Sequence, residues 1–349
     1  MKFVSSAMLG ASLATLLTPM VCAAQSLPTR SIPAHDLPVP TTASPAMQKV
    51  ISLSGPSKAP ASVPTTNEGW NKRSNPNPAK KHQTVEMLLA RYKLAMREET
   101  IAGVHCYVLT PTDAPKTNHG RVLVHFHGGG YTSGAGEAAV GEAIFVAGAT
   151  RMKTIAVDYR MAPDFPYPVP VDDAIAVWKA VSAKMPANKL GMFGTSAGGS
   201  LVLSAVQRAI TERLPVPGAI MAGTPWSDLS ETGDSYFLNR YVDPMVYQDG
   251  LSISAAQYAH GIDLKDPRVS PIYGSFTGFP PTLLLTGTRD LFLSNTIRVD
   301  RKLRDAGRHS ELIVYEGLSH GRYIAGPDFE ETKTALKDIA TFFNSNLAK

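Results

Sequence analysis

Two cysteines in 349 residues are too few for a disulfide framework, so a fold of this length must hold by packing rather than by cross-links. Charge is sparse as well. Asp, Glu, Lys and Arg make up 18% of the chain, and the formal net charge is +5. The basic residues gather in 72–97 and 298–308. In the second segment Val299, Leu303 and Ala306 recur at helical spacing with Arg298, Arg301, Lys302 and Arg304 around them. That pattern is a solvated amphipathic helix. Without a recognised module or interleaved aromatic and basic residues, nucleic acid is not an expected partner. Also missing is any apolar run of the ~20 residues that a membrane-spanning helix needs. Apolar residues are abundant, at 44%, enough for one large α/β domain or two ordinary ones.

Residues 1–23 have the makeup of a signal peptide. Lys2 supplies a short positive region, residues 3–17 are apolar or small, Pro19 breaks the run, and Val21-Cys22-Ala23 offers small residues for cleavage. The expectation is export to the periplasm or beyond, with cleavage near Ala23 or Ala24 and no stable membrane insertion afterwards. A retained anchor is the competing reading. Cleavage would leave Cys106 as the single thiol. Residues 24–83 are rich in Pro, Ser and Thr, as a linker would be. Met47, Val50, Ile51, Leu53 and Trp70 are apolar enough to favour an arm wrapped on the domain instead.

From residue 84 to 349 short apolar segments alternate with amphipathic ones. Helices are expected at 85–97, 137–148, 172–182, 197–212, 296–306 and 329–344. Strands are expected at 101–109, 121–126, 154–157, 190–193, 219–222, 282–286 and 311–315. This order means an α/β domain with a mostly parallel central sheet flanked by helices. Residues 226–281 break the rhythm. An insertion of that length after a strand lies where ligands bind, and is a candidate lid.

"KLGMFGTSAGGSLVLSAV" places a glycine-rich turn between a strand and a helix. Such a turn can cradle a phosphate, but that loop needs a Lys followed by Ser or Thr, and Gly199 precedes Ser200-Leu201. Residues 194–198 instead match G-x-S-x-G, which presents a serine on a strained turn at a helix N-terminus. A serine nucleophile needs a base and an orienting acid, in the chain order Ser, Asp or Glu, His. Of the later histidines, His260 falls in the insertion and His309 in a turn. His320, in the glycine-punctuated loop after the last strand, is the candidate base, with a surface-loop histidine as the alternative. Asp290, just past strand 282–286, is the candidate acid; helix capping is its alternative role. "HFHGGG" ends another strand, and the backbone N–H groups of Gly128 and Gly129, with that of Ala197, could form an oxyanion hole. His125 and His127 lack further ligands for a metal. No metal or organic cofactor is expected.

Together these segments resemble the hormone-sensitive-lipase-like family of α/β-hydrolases, which includes bacterial esterases and lipases. The match runs over residues 101–343, through "HGGG", "DYRMAPDFPYPVPVDD", "GTSAGG", "TRDLFLSN" and "GLSHGRY". Thr195 is similar to the family's subgroup with Thr before the nucleophile. The sequence departs from the family pattern after Asp290, where Pro is often found, and at Asn295, where a second acid is frequent. The resemblance implies an α/β-hydrolase fold whose cap is formed by the N-terminal segment and an insertion before the acid strand, drawn from residues 44–100 and 226–281. It implies structural roles for Asp158, Asp164, Asp172 and Asp173. It also implies a serine carboxylesterase acting on small-molecule esters, with Ser196, Asp290 and His320 as triad; the leader read above would make it a secreted one. Lactone or amide hydrolysis, acyl transfer, or a non-catalytic binding role on the same scaffold are the alternatives. The sequence leaves oligomeric state open. A mixed-polarity cap without a wide apolar helix face points to short acyl chains.

Overall fold

Each parallel strand of the sheet is followed by a segment that crosses one face of it and brings the chain back to the same edge. The computed structural model describes residues 29–34, 36–55, 62–244 and 248–348; the leader read at residues 1–23 lies outside them. Residues Val39–Lys349 make one compact unit, to which all elements below belong. Three helices come first, α1 (Pro45–Leu53), α2 (Asn67–Ser74) and α3 (Pro78–Tyr92). Then follow β1 (Leu94–Ile101), β2 (Val104–Pro111), β3 (Val122–Phe126), α4 (Gly141–Thr150), β4 (Lys153–Val157) and α5 (Val169–Ser182). Next are β5 (Leu190–Thr195), α6 (Ala197–Thr211), β6 (Ala219–Gly223), α7 (Ser235–Leu238) and α8 (Gln248–Ala259). β7 (Thr282–Gly287), α9 (Leu293–Asp305), β8 (Ser310–Tyr315) and α10 (Glu330–Asn346) complete the chain.

Among the described residues, eight strands form one sheet in the order β1-β2-β4-β3-β5-β6-β7-β8. β2 runs antiparallel to both neighbours, and the other pairs are parallel. Alternation along each strand feeds two cores. Val122, Val124 and Phe126 of β3 pack with Trp178 of α5, Leu201 of α6 and Leu303 of α9. Leu123, with Phe193 of β5, packs with Leu88 of α3, Ile144 of α4 and Phe343 of α10. The central strands are buried on both faces, as their unbroken apolar runs require.

One expected helix ends early. The apolar spacing predicts helix through residue 97, yet α3 stops at Tyr92, with Lys93 in the left-handed region at φ 54°. Met96 continues the helical spacing by coincidence: it sits in β1 opposite Leu109 of β2 and packs into the α3–α4–α10 core. Ala102 and Gly103, at φ 50° and 85°, turn β1 into β2 as a two-residue hairpin loop, a geometry matched to strand twist.

The N-terminal segment carries two short helices, α1 and α2, joined to irregular stretches at 29–34, 36–44 and 62–66. Ser44 caps α1, its Oγ accepting the N–H of Met47 at 3.2 Å. Its own N–H and Oγ–H donate to Glu331 at the start of α10, at 2.7 and 2.9 Å. Of the expected anchors, Met47 and Trp70 are buried and Val50 and Ile51 half-buried, whereas Leu53 is 77% exposed. Leu53 is the last residue of α1, beyond reach of the core.

At the sheet's centre, β5 passes into α6 through Ser196, which holds φ 64° and ψ −124°. Ser196 N donates to Gly223 O of β6 at 2.9 Å, and Ser196 O accepts from Ser200 N and Trp226 N, each at 3.0 Å. The glycines on either side permit close approach. A methyl on Gly198 would overlap Phe126 O and lie 2.7 Å from His127 O; one on Gly194 would lie 2.8 Å from the carbonyl carbon of Gly198.

Two measurements test this framework. Met47→Ala should cost about 2–5 kcal/mol in urea denaturation, whereas Leu53→Ala should stay within about 0.5 kcal/mol of wild type; equal costs would mean α1 is packed otherwise. Gly198→Ala should lower stability by about 1–3 kcal/mol by overpacking and shift the β3 end of the site, seen as lost thermal stability; an unaltered melting curve would contradict the crossing described.

Candidate active site

The loops that follow β3, β5, β6, β7 and β8 all leave the same edge of the sheet, the carboxyl end of its parallel strands. They carry, in order, Gly128 and Gly129, Ser196, Thr224, Asp290 and His320. Ser196 and His320 line one cavity of about 340 Å³, together with Trp70, Gly129, Gly130, Thr132, Trp226, Leu251, Ser254 and Phe292. A groove of about 380 Å³ elsewhere is slightly larger. Its arginines are taken up, Arg208 by Asp172 and Glu212 and Arg268 by Asp266, and none of Ser196, Asp290 or His320 lines it.

Asp290 is wholly buried and His320 nearly so. His320 Nδ1 lies 3.2 Å from Asp290 Oδ1 and 3.0 Å from Thr224 Oγ1. Asp290 Oδ1 also accepts the N–H of Phe292 at 2.8 Å, and its Oδ2 accepts Thr286 Oγ1–H at 2.8 Å. The carboxylate closes a local turn onto Phe292 and faces the imidazole at once; it is not the cap of α9, whose N-cap position is Phe292 with no side-chain cap bond. Burial works against charge on both groups, but their mutual attraction and hydrogen bonding outweigh it. His320 is held above its ordinary value, with Asp243 adding to the pull, and Asp290 below its own. The Phe292 ring meets the imidazole edge-on, with centroids 4.8 Å apart.

Gly129 lines the cavity, and Gly128 packs against Ser196, where an added methyl would lie 3.3 Å from Ser196 Cβ. His127 fixes the peptide between them. Its Nδ1 lies 2.7 Å from Gly128 O, and its ring stacks on Tyr159 at 4.2 Å. Burial lowers its pKa to about 4, so the ring is neutral and Nδ1–H is the donor. In a trans peptide the N–H of Gly129 points opposite to Gly128 O, away from His127. Gly129 O is tied down as well, accepting from Thr132 N and Ser133 N at 3.1 and 3.0 Å. Ala197, the first residue of α6, places its N–H at a helix N-terminus, where negative charge is favoured.

His125 and His127 serve different partners: His125 lies within β3, whereas His127 is one residue past its end. His125 Nε2 pairs with Glu142 Oε2 at 3.1 Å. Glu142 Oε1 accepts the Thr195 hydroxyl at 2.6 Å, and Tyr323 OH lies 2.8 Å from that hydroxyl, so the residue before Ser196 is anchored from below. Among the described residues, the one group of three or more His, Cys, Asp or Glu side chains with polar atoms within 4.8 Å of one another is Asp243, Asp290 and His320. Both oxygens of Asp290 and Oδ2 of Asp243 accept N–H or O–H donors of the protein. His309 is exposed and paired with Glu311 at 3.0 Å, and His260 is exposed at the end of α8. Asp158 accepts the N–H of Gly136, Asp164 that of Asn67, and Asp173 binds Arg160 through both oxygens.

Two features escaped the sequence. Asp243 lies in the irregular insertion, where nothing marks it apart from other loop acids. Trp70 was legible as an anchor but not as a wall of the cavity. α2 lays it there: Trp70 Nε1 donates to Gln257 Oε1 at 3.0 Å, and Asn71 Oδ1 accepts the N–H groups of Gly134 and Ala135 at 3.2 and 3.3 Å. Tyr236 and Tyr258 of the insertion are buried, while Phe237 and Tyr241 are each 70% exposed; Tyr247 lies outside the described residues.

Comparison with known proteins places this geometry. A family model described as the alpha/beta hydrolase fold matches residues 123–324. Among solved structures, the chain is similar to an esterase designated E25, with 35% identity and a TM-score of 0.85, over 92% of this chain and 99% of that one. It is also similar to an esterase from the bacterial hormone-sensitive lipase family, at 25% identity and a TM-score of 0.72, over 82% and 94% of the two chains. The ethyl acetate hydrolase of Pseudomonas putida is 30% identical over 68% of this chain and 76% of its own. With the sheet order, the turn at Ser196 and the loop positions already described, these likenesses make the chain a member of the α/β-hydrolase fold family, in its hormone-sensitive-lipase-like branch of bacterial esterases.

Proposed function

We propose that the chain is a serine carboxylesterase that hydrolyses short-chain acyl esters through an acyl-enzyme on Ser196. The observation that carries this reading is the placement of Ser196 and His320 on one cavity, with the His320 Nδ1 side committed to buried Asp290. Nε2 is then the nitrogen available to the serine. Ser196 Oγ attacks the ester carbonyl carbon as its proton passes to Nε2. The carbonyl oxygen becomes an oxyanion, met by the N–H groups of Gly128, Gly129 and Ala197. As the tetrahedral species collapses, the bond to the alcohol oxygen breaks and Nε2 returns the proton to it. Water then adds to the acyl carbon by the same route, freeing the acid and restoring Ser196. Asp290 keeps the imidazole in the tautomer this requires and stabilises the imidazolium.

A fluorophosphonate probe should label the wild-type chain and fail to label folded Ser196→Ala, which should lose ester turnover by several orders of magnitude, with His320→Ala comparably severe because the pair acts as a unit. Asp290→Asn should lose roughly 10³–10⁴-fold in kcat. Near-wild-type turnover in folded Ser196→Ala would end this reading.

The cavity supports the choice of substrate. Trp70, Trp226 and Phe292 wall it, Trp226 and Phe292 stacked at 5.9 Å, and its volume of about 340 Å³ lies near the lower end for ligand sites. Each methylene adds about 0.8 kcal/mol, roughly fourfold in kcat/KM, only while there is room for it. On p-nitrophenyl esters kcat/KM should therefore peak at roughly six acyl carbons or fewer. Trp70→Ala should move the peak to longer chains. A steady rise through dodecanoate in the wild type would point to a lipase instead.

A further inference from the structure

The insertion between β6 and β7 reaches the catalytic loops directly. Residues 239–243 form a turn closed by Asp243 N donating to Asn239 O at 3.0 Å, and its two ends grip the loop that carries Asp290. Asn239 Nδ2 donates to the carbonyl oxygens of Thr288 and Asp290 at 3.1 and 2.8 Å. Asp243 Oδ2 accepts the N–H of Leu291 at 2.8 Å and the N–H of His320 at 3.1 Å. A single carboxylate oxygen thus joins the backbone of the acid turn after β7 to the backbone of the base loop after β8. Asp243 has no exposed surface.

A buried carboxylate carries a desolvation cost of several kcal/mol that only good partners offset. Two of them stand beside one imidazole here, a costly arrangement if packing were all that was needed, since apolar or amide side chains fill such space without the charge. Asn295 does not supply the second acid: its Nδ2 donates to Tyr236 OH at 3.0 Å. We propose that Asp243 is a positioning residue for ester hydrolysis, holding the Asp290 turn and the His320 loop in register and adding negative charge that stabilises the imidazolium. The proposal rests on the Ser196–His320–Asp290 reading above.

The charged groups that face the imidazole are Asp290, after β7, and Asp243, from the insertion. Thr224, after β6, presents a neutral hydroxyl and Phe292 a ring edge. Glu142 and Tyr323 bond to Thr195 rather than to His320. Burial lowers the His320 pKa, and the charge and hydrogen bond of Asp290 with the charge of Asp243 together raise it past its ordinary value. Removing the Asp243 charge therefore lowers it. Since the base must be neutral, the rising limb of kcat with pH moves to lower pH.

Asp243→Asn keeps an acceptor for the two N–H groups and removes the charge, whereas Asp243→Ala removes both. In Asp243→Ala kcat should fall on the order of 10²-fold, the effect of a displaced catalytic group, with KM nearly unchanged because Asp243 does not line the cavity. In Asp243→Asn the loss should be smaller, and the rising limb of the pH profile should shift to lower pH, which a purely structural role would not produce. If the alanine variant does not fold, as judged by circular dichroism, the asparagine variant decides. Wild-type kcat and an unmoved limb in folded Asp243→Asn overturn the proposal and leave the triad standing. A wild-type chain that neither hydrolyses p-nitrophenyl butanoate nor reacts with a fluorophosphonate overturns both.

Discussion

The contact between the start of α6 and the end of β3, backbone against backbone at Gly198, Phe126 and His127, governs the rest of the site. Because no side chain intervenes, the turn at Ser196 can sit directly beside the glycines after β3. Because the turn is tight, Ser196 is held at positive φ, a conformation that costs of order 1–3 kcal/mol for a residue with a side chain. The hydrogen bonds from Ser196 N to β6 and to Ser196 O from Ser200 and Trp226 offset part of that cost and fix the direction of the hydroxyl-bearing carbon. A wider separation of the two elements would relax the turn and move the N–H groups of Gly128 and Gly129 away from Ser196.

The electrostatics follow from the same compactness. Asp290, His320 and Asp243 are buried together, where charges interact more strongly than at the surface. Their stability depends on a dense set of donors: Thr286, Phe292 and Thr224 around Asp290, and Leu291 and His320 N–H around Asp243. His127, though also buried and only a few residues from the site, is pushed the opposite way and stays neutral, because its nearest partner is a carbonyl rather than a carboxylate. Two buried histidines thus have different character for one physical reason, the charge of what each ring nitrogen meets.

The parts of this arrangement legible in the sequence are those tied to strand ends. A strand-to-helix turn with Gly194 and Gly198, a strand running into Gly128, and loops after the final two strands each have local signatures, and the parallel sheet brings them to one edge. Boundaries were less legible: Met96 kept helical spacing past the end of α3 because β1 begins where its residue parity coincides with that spacing. Long-range contacts away from these strand ends were not legible. Asp243 is 48 positions from Leu291 and 77 from His320, in a segment with no period from which a face could be assigned. Leu53 misled in the other direction, since hydrophobicity alone does not say which turn of a short helix meets the core.

Helix α2 carries a consequence for how such a chain can change over time. Its Trp70 closes the cavity while the neighbouring Asn71 holds the N–H groups of Gly134 and Ala135, in the loop that continues from the glycines beside Ser196. Under the proposed reading, cavity width and the glycine loop are coupled through one turn of helix: a rearrangement that admits a bulkier ester by shifting α2 also loosens the loop that continues from Gly128 and Gly129. Substitution of the Trp70 side chain alone leaves that second tie in place. Descendants of this sequence that broaden their diet without slowing are thus constrained to alter the indole and spare the amide beside it.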